Sequence, residues 1–157
     1  MKKTTTSLLF ASLLAIGLSA CGNQAGGAAA GGKGSFSQER STAFKNMMPN
    51  FSAMGKVVKG EEPYQPEAFK AMADTFLSES QEPFKHFTQD PDGQTGDALP
   101  NIWSDATAYK AEEDKFHAAV ANLHTVAQGT DLEAIKVAYG AVGASCKSCH
   151  DTYRKPK

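Results

Sequence analysis

The chain has 157 residues, enough for one domain with a sizeable core. Hydrophobic residues make up 41% and charged residues 21%, an ordinary globular mixture. The net charge of −1 excludes the basic footprint of a nucleic-acid-binding protein, so no nucleic acid is expected among its partners.

Lys2 and Lys3 precede an apolar run over residues 8–18. At 11 residues the run is too short to span a bilayer and suits the core of an export signal. It leads directly into L-S-A-C, ending at Cys21, which resembles the lipobox of bacterial lipoproteins. That resemblance implies removal of residues 1–20 as a signal peptide and a lipid on the Cys21 thiol. Because Gly22 follows rather than an aspartate, it also implies release to the outer membrane, with the domain facing the periplasm. Residues 22–34 read G-N-Q-A-G-G-A-A-A-G-G-K-G, with no side chain able to build a core. Residues 21–35 are therefore expected to form a flexible, lipidated Gly/Ala-rich tether reaching roughly 20 Å.

Residues 36–157 have a helical period and no convincing strand alternation. The first helix is expected over about 37–59. Phe44, Met47, Met48, Phe51, Met54, Val57 and Val58 form its apolar stripe, and Gly60 is its stop. Pro49 interrupts this segment, and because the stripe stays in phase the expectation is one kinked helix rather than two. The second helix starts at Pro66 with Glu67 beside it and runs to about Ser80; Phe69, Met72, Phe76 and Leu77 are its apolar face. Pro83, Pro91, Gly93, Gly96 and Pro100 make residues 81–100 a long ordered loop, a common form of binding wall. The third helix is expected over 101–128, with Ile102, Ala106, Tyr109, Phe116, Val120, Leu123 and Ala127 inward. Thr130-Asp131-Leu132-Glu133 reads as a capping box opening the fourth, with Thr130 at the cap. Leu132, Ile135, Ala138, Val142, Cys146, Cys149 and Tyr153 follow on one side. The fold class is thus all-α, an antiparallel four-helix bundle whose grooves can house a cofactor.

With Cys21 assigned to lipid, the three cysteines leave only the pair in C-K-S-C-H, residues 146–150. Cys146 and Cys149 are three apart, so they share one helix face, with His150 on its edge. A thiol–disulfide oxidoreductase places such a pair at a helix start after a strand, where the thiol pKa falls. Here the pair ends a helix, and no strand precedes it. A closed zinc site needs four ligands. Three are present, and His117 and His124 read more simply as ordinary surface histidines. C-x-x-C-H is the attachment signal for a c-type haem, with two thioethers and a histidine placed beneath the iron. No base, nucleophile or substrate pocket beyond the haem marks an enzyme.

Beyond that motif, the chain resembles the cytochrome c′ family. The matching stretches are C-K-S-C-H-D-T-Y-R (146–154), V-G-A-S (142–145), I-W-S-D-A (102–106), V-V-K-G (57–60) and R-S-T-A-F-K-N-M (40–47). The resemblance implies one covalent haem c per chain on Cys146 and Cys149, with His150 as the axial iron ligand. It places Arg154 on the His150 side, Arg40 and Ser41 near the haem edge and propionates, and Phe44 over the distal face. The family often carries leucine at that distal position. An apolar distal side chain leaves the iron five-coordinate and crowded. The implied function is binding of nitric oxide, lowering its toxicity, with electron exchange with a redox partner as an accompanying role. The alternative is a low-spin electron carrier in which Met47, Met48 or Met54 of the first helix ligates the iron. The resemblance also implies a homodimer through the first two helices, where Phe36, Val57, Tyr64 and Phe69 could supply apolar contacts.

Overall fold

The computed structural model describes residues 34–89 and 93–157. The expected signal peptide, Cys21 and all but the end of the expected tether lie outside the described residues.

Among the described residues five helices follow in order: α1 (Ser35–Val58), α2 (Pro66–Glu79), α3 (Asn101–Ser104), α4 (Ala106–Ala127) and α5 (Leu132–Tyr153). A 3-10 turn, Pro83–His86, lies between α2 and α3. The four long helices form the bundle, and the short connections after α1 and α4 make those pairs antiparallel neighbours. α4 packs most extensively on α5, α1 packs on α2, and α2 on α4; α1 meets α5 more sparsely than any of these pairs. That seam is where the bundle opens.

The helices start and stop for local reasons. α1 begins at Ser35, one residue inside the expected tether, and runs unbroken through Pro49. Pro49 and Lys45 are both exposed, so the Lys45 carbonyl that loses its helical donor can turn to water. Gly60, with φ +76°, follows the helix in the left-handed region. The expected third helix is in fact two. Asp105 leaves helical geometry (φ −130°, ψ 65°), and its carboxylate accepts a hydrogen bond from the Ala108 N–H, capping α4 at 3.1 Å. That break turns Ala106 out to solvent rather than inward. At α5 the cap is Asp131, not Thr130: the Asp131 carboxylate accepts from the Glu133 and Ala134 N–H groups at 3.0 and 3.1 Å. A carboxylate beside the positive end of a helix is favoured on charge as well as on hydrogen bonding.

Met54, Phe69, Phe76, Val120, Leu123 and Ile135 are the centre of the core, all at or below 1% exposed. Two residues expected at a dimer face, Val57 and Phe69, are spent on this monomer core, whereas Phe36 and Tyr64 stay half-buried. α1 approaches α5 closely at one place, where Gly55 faces the Tyr139 ring and the Tyr139 hydroxyl donates to the Phe51 carbonyl at 3.1 Å. A second apolar cluster, Ala98, Ile102, Tyr109 and Tyr153, sits towards the C-terminal end of α5. No described helix is long and apolar enough to cross a membrane.

Candidate haem site

The sparse α1–α5 seam widens into a cavity of about 690 Å³. This lies within the usual range for a small-molecule or cofactor pocket, roughly 300–1,000 Å³. α5 lines it with Cys146, Cys149, His150 and Arg154, and α1 lines it with Arg40, Ser41 and Phe44. All seven residues singled out in the bundle sequence therefore meet at one cavity. Met47 and Met48 line it as well, whereas Met54 is wholly buried and does not.

The helical spacing puts both free thiols, half-buried, on the cavity side of α5. Burial raises the pKa of Cys146, and burial with the nearby Glu112, Cys146 and Glu113 pushes Cys149 up to about 11. Thiols held protonated at neutral pH are the reverse of what a disulfide oxidoreductase needs. Among the described residues no three His, Cys, Asp or Glu side chains converge as a metal-ion site. The His150 pKa is lowered by desolvation and then by the neighbouring Arg154, against the opposing Asp151, a shift that favours the neutral imidazole. A neutral imidazole is the ligating form. Arg154 ends α5 in extended geometry, and its N–H donates to the His150 carbonyl at 3.2 Å.

The wall opposite is aromatic. Phe44 meets Phe84 and Phe87 edge-on, with centroids 6.0 and 6.4 Å apart. Phe84 and Phe87 come from the segment after α2, which helical periodicity could not assign to any face. Two aromatic residues in an otherwise polar, proline-rich stretch were the available signal. This segment is clamped to the C-terminal tail: the Leu99 N–H donates to Tyr153 O at 2.9 Å, and the Lys155 N–H to Asp97 O at 2.8 Å. Gly96, at φ +61°, lies against Ser37, where an added Cβ would collide with the serine side chain.

Arg40 ties this wall to α1. It is 5% exposed, and its guanidinium donates to the His86 carbonyl at 2.7 Å and the Thr95 carbonyl at 2.9 Å. The same group lies 5.1 Å from the Phe87 ring centroid. The His86 ring in turn sits between Glu39, at 3.1 Å, and Glu82, at 3.3 Å. Arg40 thus holds the wall in place besides lining it, a role its sequence position did not reveal. Arg40→Met is expected to lower stability by about 1–3 kcal/mol, because it removes the donors from two partly buried carbonyls. An unchanged urea midpoint would show that water replaces the guanidinium at no cost.

These residues fit a c-type haem. Flat aromatic and aliphatic side chains suit the porphyrin, two thiols on one face suit thioether links, and a neutral imidazole beside them suits iron. The buried Arg40 guanidinium and one orphaned hydroxyl, that of Tyr109, add polar groups to the lining. The family model for cytochrome c′ matches residues 36–154. This chain belongs to the cytochrome c′ family. Cytochrome c′ of Alcaligenes xylosoxydans is 40% identical over 118 residues, covering 75% of this chain and 91% of the relative. That of Rubrivivax gelatinosus is 31% identical over 123 residues, covering 78% and 95%. A solved nitric oxide complex of a leucine-to-alanine mutant of Alcaligenes xylosoxidans cytochrome c′ superposes with a TM-score of 0.73 at 38% identity, covering 78% of this chain and 94% of that one. Cytochromes c′ carry covalently bound haem c, and haem c is the cofactor of this chain.

Proposed function

We propose that this cytochrome c′ binds nitric oxide in the periplasm and lowers its toxicity, held to the outer membrane by a lipid on Cys21. In this reading Cys146 and Cys149 would carry the haem, His150 would ligate its iron with Arg154 nearby, and Phe44 would lie over the distal side. Arg40 and Ser41 border the haem edge. The observation that carries the reading is the pairing of walls: α5 presents the imidazole of His150, and α1 presents Phe44, a side chain with no lone pair for iron. The haem iron supplies the position at which a gas coordinates. Phe44 would restrict entry to it, His150 would hold the iron, and the aromatic wall would exclude water. The nitric oxide complex of the similar Alcaligenes protein supports the choice of gas.

A second reading, an electron carrier, rests on Met47 and Met48, which also line the cavity. The ferrous absorption and resonance Raman spectra, taken before and after nitric oxide is added, separate the two. A high-spin spectrum that is replaced on adding the gas supports nitric oxide binding. A low-spin spectrum indifferent to it puts a methionine on the iron.

The lipid anchor has its own test. Cys21→Ser is expected to move the protein from the membrane fraction to the soluble periplasm with its haem spectrum intact. Continued membrane association would remove the lipid from the proposal.

A further inference from the structure

Tyr109, on α4, is 6% exposed and lines the haem cavity, and its hydroxyl is buried with no hydrogen-bond partner. Buried phenols ordinarily find an acceptor, and leaving one unsatisfied costs about 1–3 kcal/mol. A phenylalanine would fill the same space without that cost. The ring is held between Phe87, 5.0 Å away, and Tyr153, which meets it edge-on at 5.3 Å. Those contacts restrain the hydroxyl from swinging out to water. Burial first, then the neighbouring Cys149 and Glu113, keep the phenol protonated, far above the usual tyrosine range, while the nearby Arg40 acts in the opposite sense. The group is therefore a neutral donor set between a haem-bearing cysteine and a buried guanidinium.

Haem c offers few acceptors. Its ring nitrogens are committed to iron and its thioether sulfurs are weak acceptors. Its two propionates are carboxylates, strong acceptors that also suit the positive charge of Arg40. We propose that Tyr109 is a haem-positioning residue whose phenol donates a hydrogen bond to a haem propionate on the Arg40 side of the cavity. The inference rests on covalent haem at Cys146 and Cys149, and it adds a neutral hydrogen-bond donor from α4, which also lines the cavity with Glu112 and Phe116.

Tyr109→Phe removes one oxygen and keeps the ring packing, so the holoprotein can be compared directly with wild type. The expected result is a shift of the propionate-bending band in the resonance Raman spectrum together with a fall in reduction potential. The potential falls because a propionate without its donor places more negative charge near the iron and favours the ferric state. Haem staining on a denaturing gel should be equal in both proteins. An unchanged band and potential would overturn the proposal and leave Tyr109 as packing alone. An unmoved propionate band with a shifted stretch of iron-bound carbon monoxide would also overturn it, placing the phenol over the iron instead. Absence of haem stain in the wild type would fail the haem reading itself, an outcome distinct from both.

Discussion

Phe44→Ala is expected to bind carbon monoxide at least about tenfold faster than wild type, which corresponds to lowering the entry barrier by about 1.4 kcal/mol. The expectation rests on how firmly the ring is held. Phe44 meets Phe84 and Phe87 edge-on, contacts of a kind worth about 0.5–1.5 kcal/mol each. Neither partner is free to yield. Phe84 packs on Phe116 and His117, at 5.4 and 4.8 Å, while the Phe87 carbonyl accepts from the Trp103 indole at 2.7 Å. A gas entering against Phe44 must displace a ring that is part of a fixed cluster. Alanine removes the ring and opens the space beside the iron. The loss of stability should stay below the about 3–5 kcal/mol of a fully buried phenylalanine, since Phe44 is only half-buried. Flash photolysis of the ferrous carbon monoxide complex measures the rate, and the haem spectrum checks that the fold survives. An unchanged rate would mean that Phe44 is not the lid. It is also the result expected if Met47 or Met48 held the iron, because loss of the methionine would then limit entry.

The two sides of the cavity were unequally legible in the sequence. Cys146, Cys149 and His150 lie within five residues, so covalent chemistry and helix periodicity together place them on one face of α5 without knowledge of the fold. Arg40, Ser41 and Phe44 are about a hundred residues away, and only the likeness to a family brought them to the same site. Asp105 shows a different limit. The run from Ile102 to Tyr109 has an uninterrupted helical pattern, yet the Asp105 carboxylate gains more by capping the Ala108 N–H than by staying within a helix. The same competition moved the α5 cap from Thr130 to Asp131. Tyr109 was legible as an inward-facing ring, but whether its hydroxyl found a partner depends on neighbours from α5 and from the segment after α2. No local pattern records that.

Replacing both Cys146 and Cys149 with alanine is expected to abolish covalent haem, so that no haem stain survives a denaturing gel. Either single replacement should leave one thioether, a stained band and an altered haemochrome spectrum. The structural consequence follows from where the cavity lies. It occupies the α1–α5 seam, more sparsely packed than the α1–α2, α2–α4 and α4–α5 junctions, so a haem bound there joins two helices that otherwise share little. A group that binds the native state alone stabilises it, and a covalent one does so regardless of concentration. The double variant should therefore also melt at lower temperature than wild type, and free haem added in excess should recover part of the difference through His150. Burial raises the pKa of both thiols, which disfavours the disulfides and adducts that low-pKa thiols form. The chain has three cysteines. A haem stain persisting in the double variant would leave Cys21 as the remaining thiol, overturning both the lipid and the haem assignments in one result.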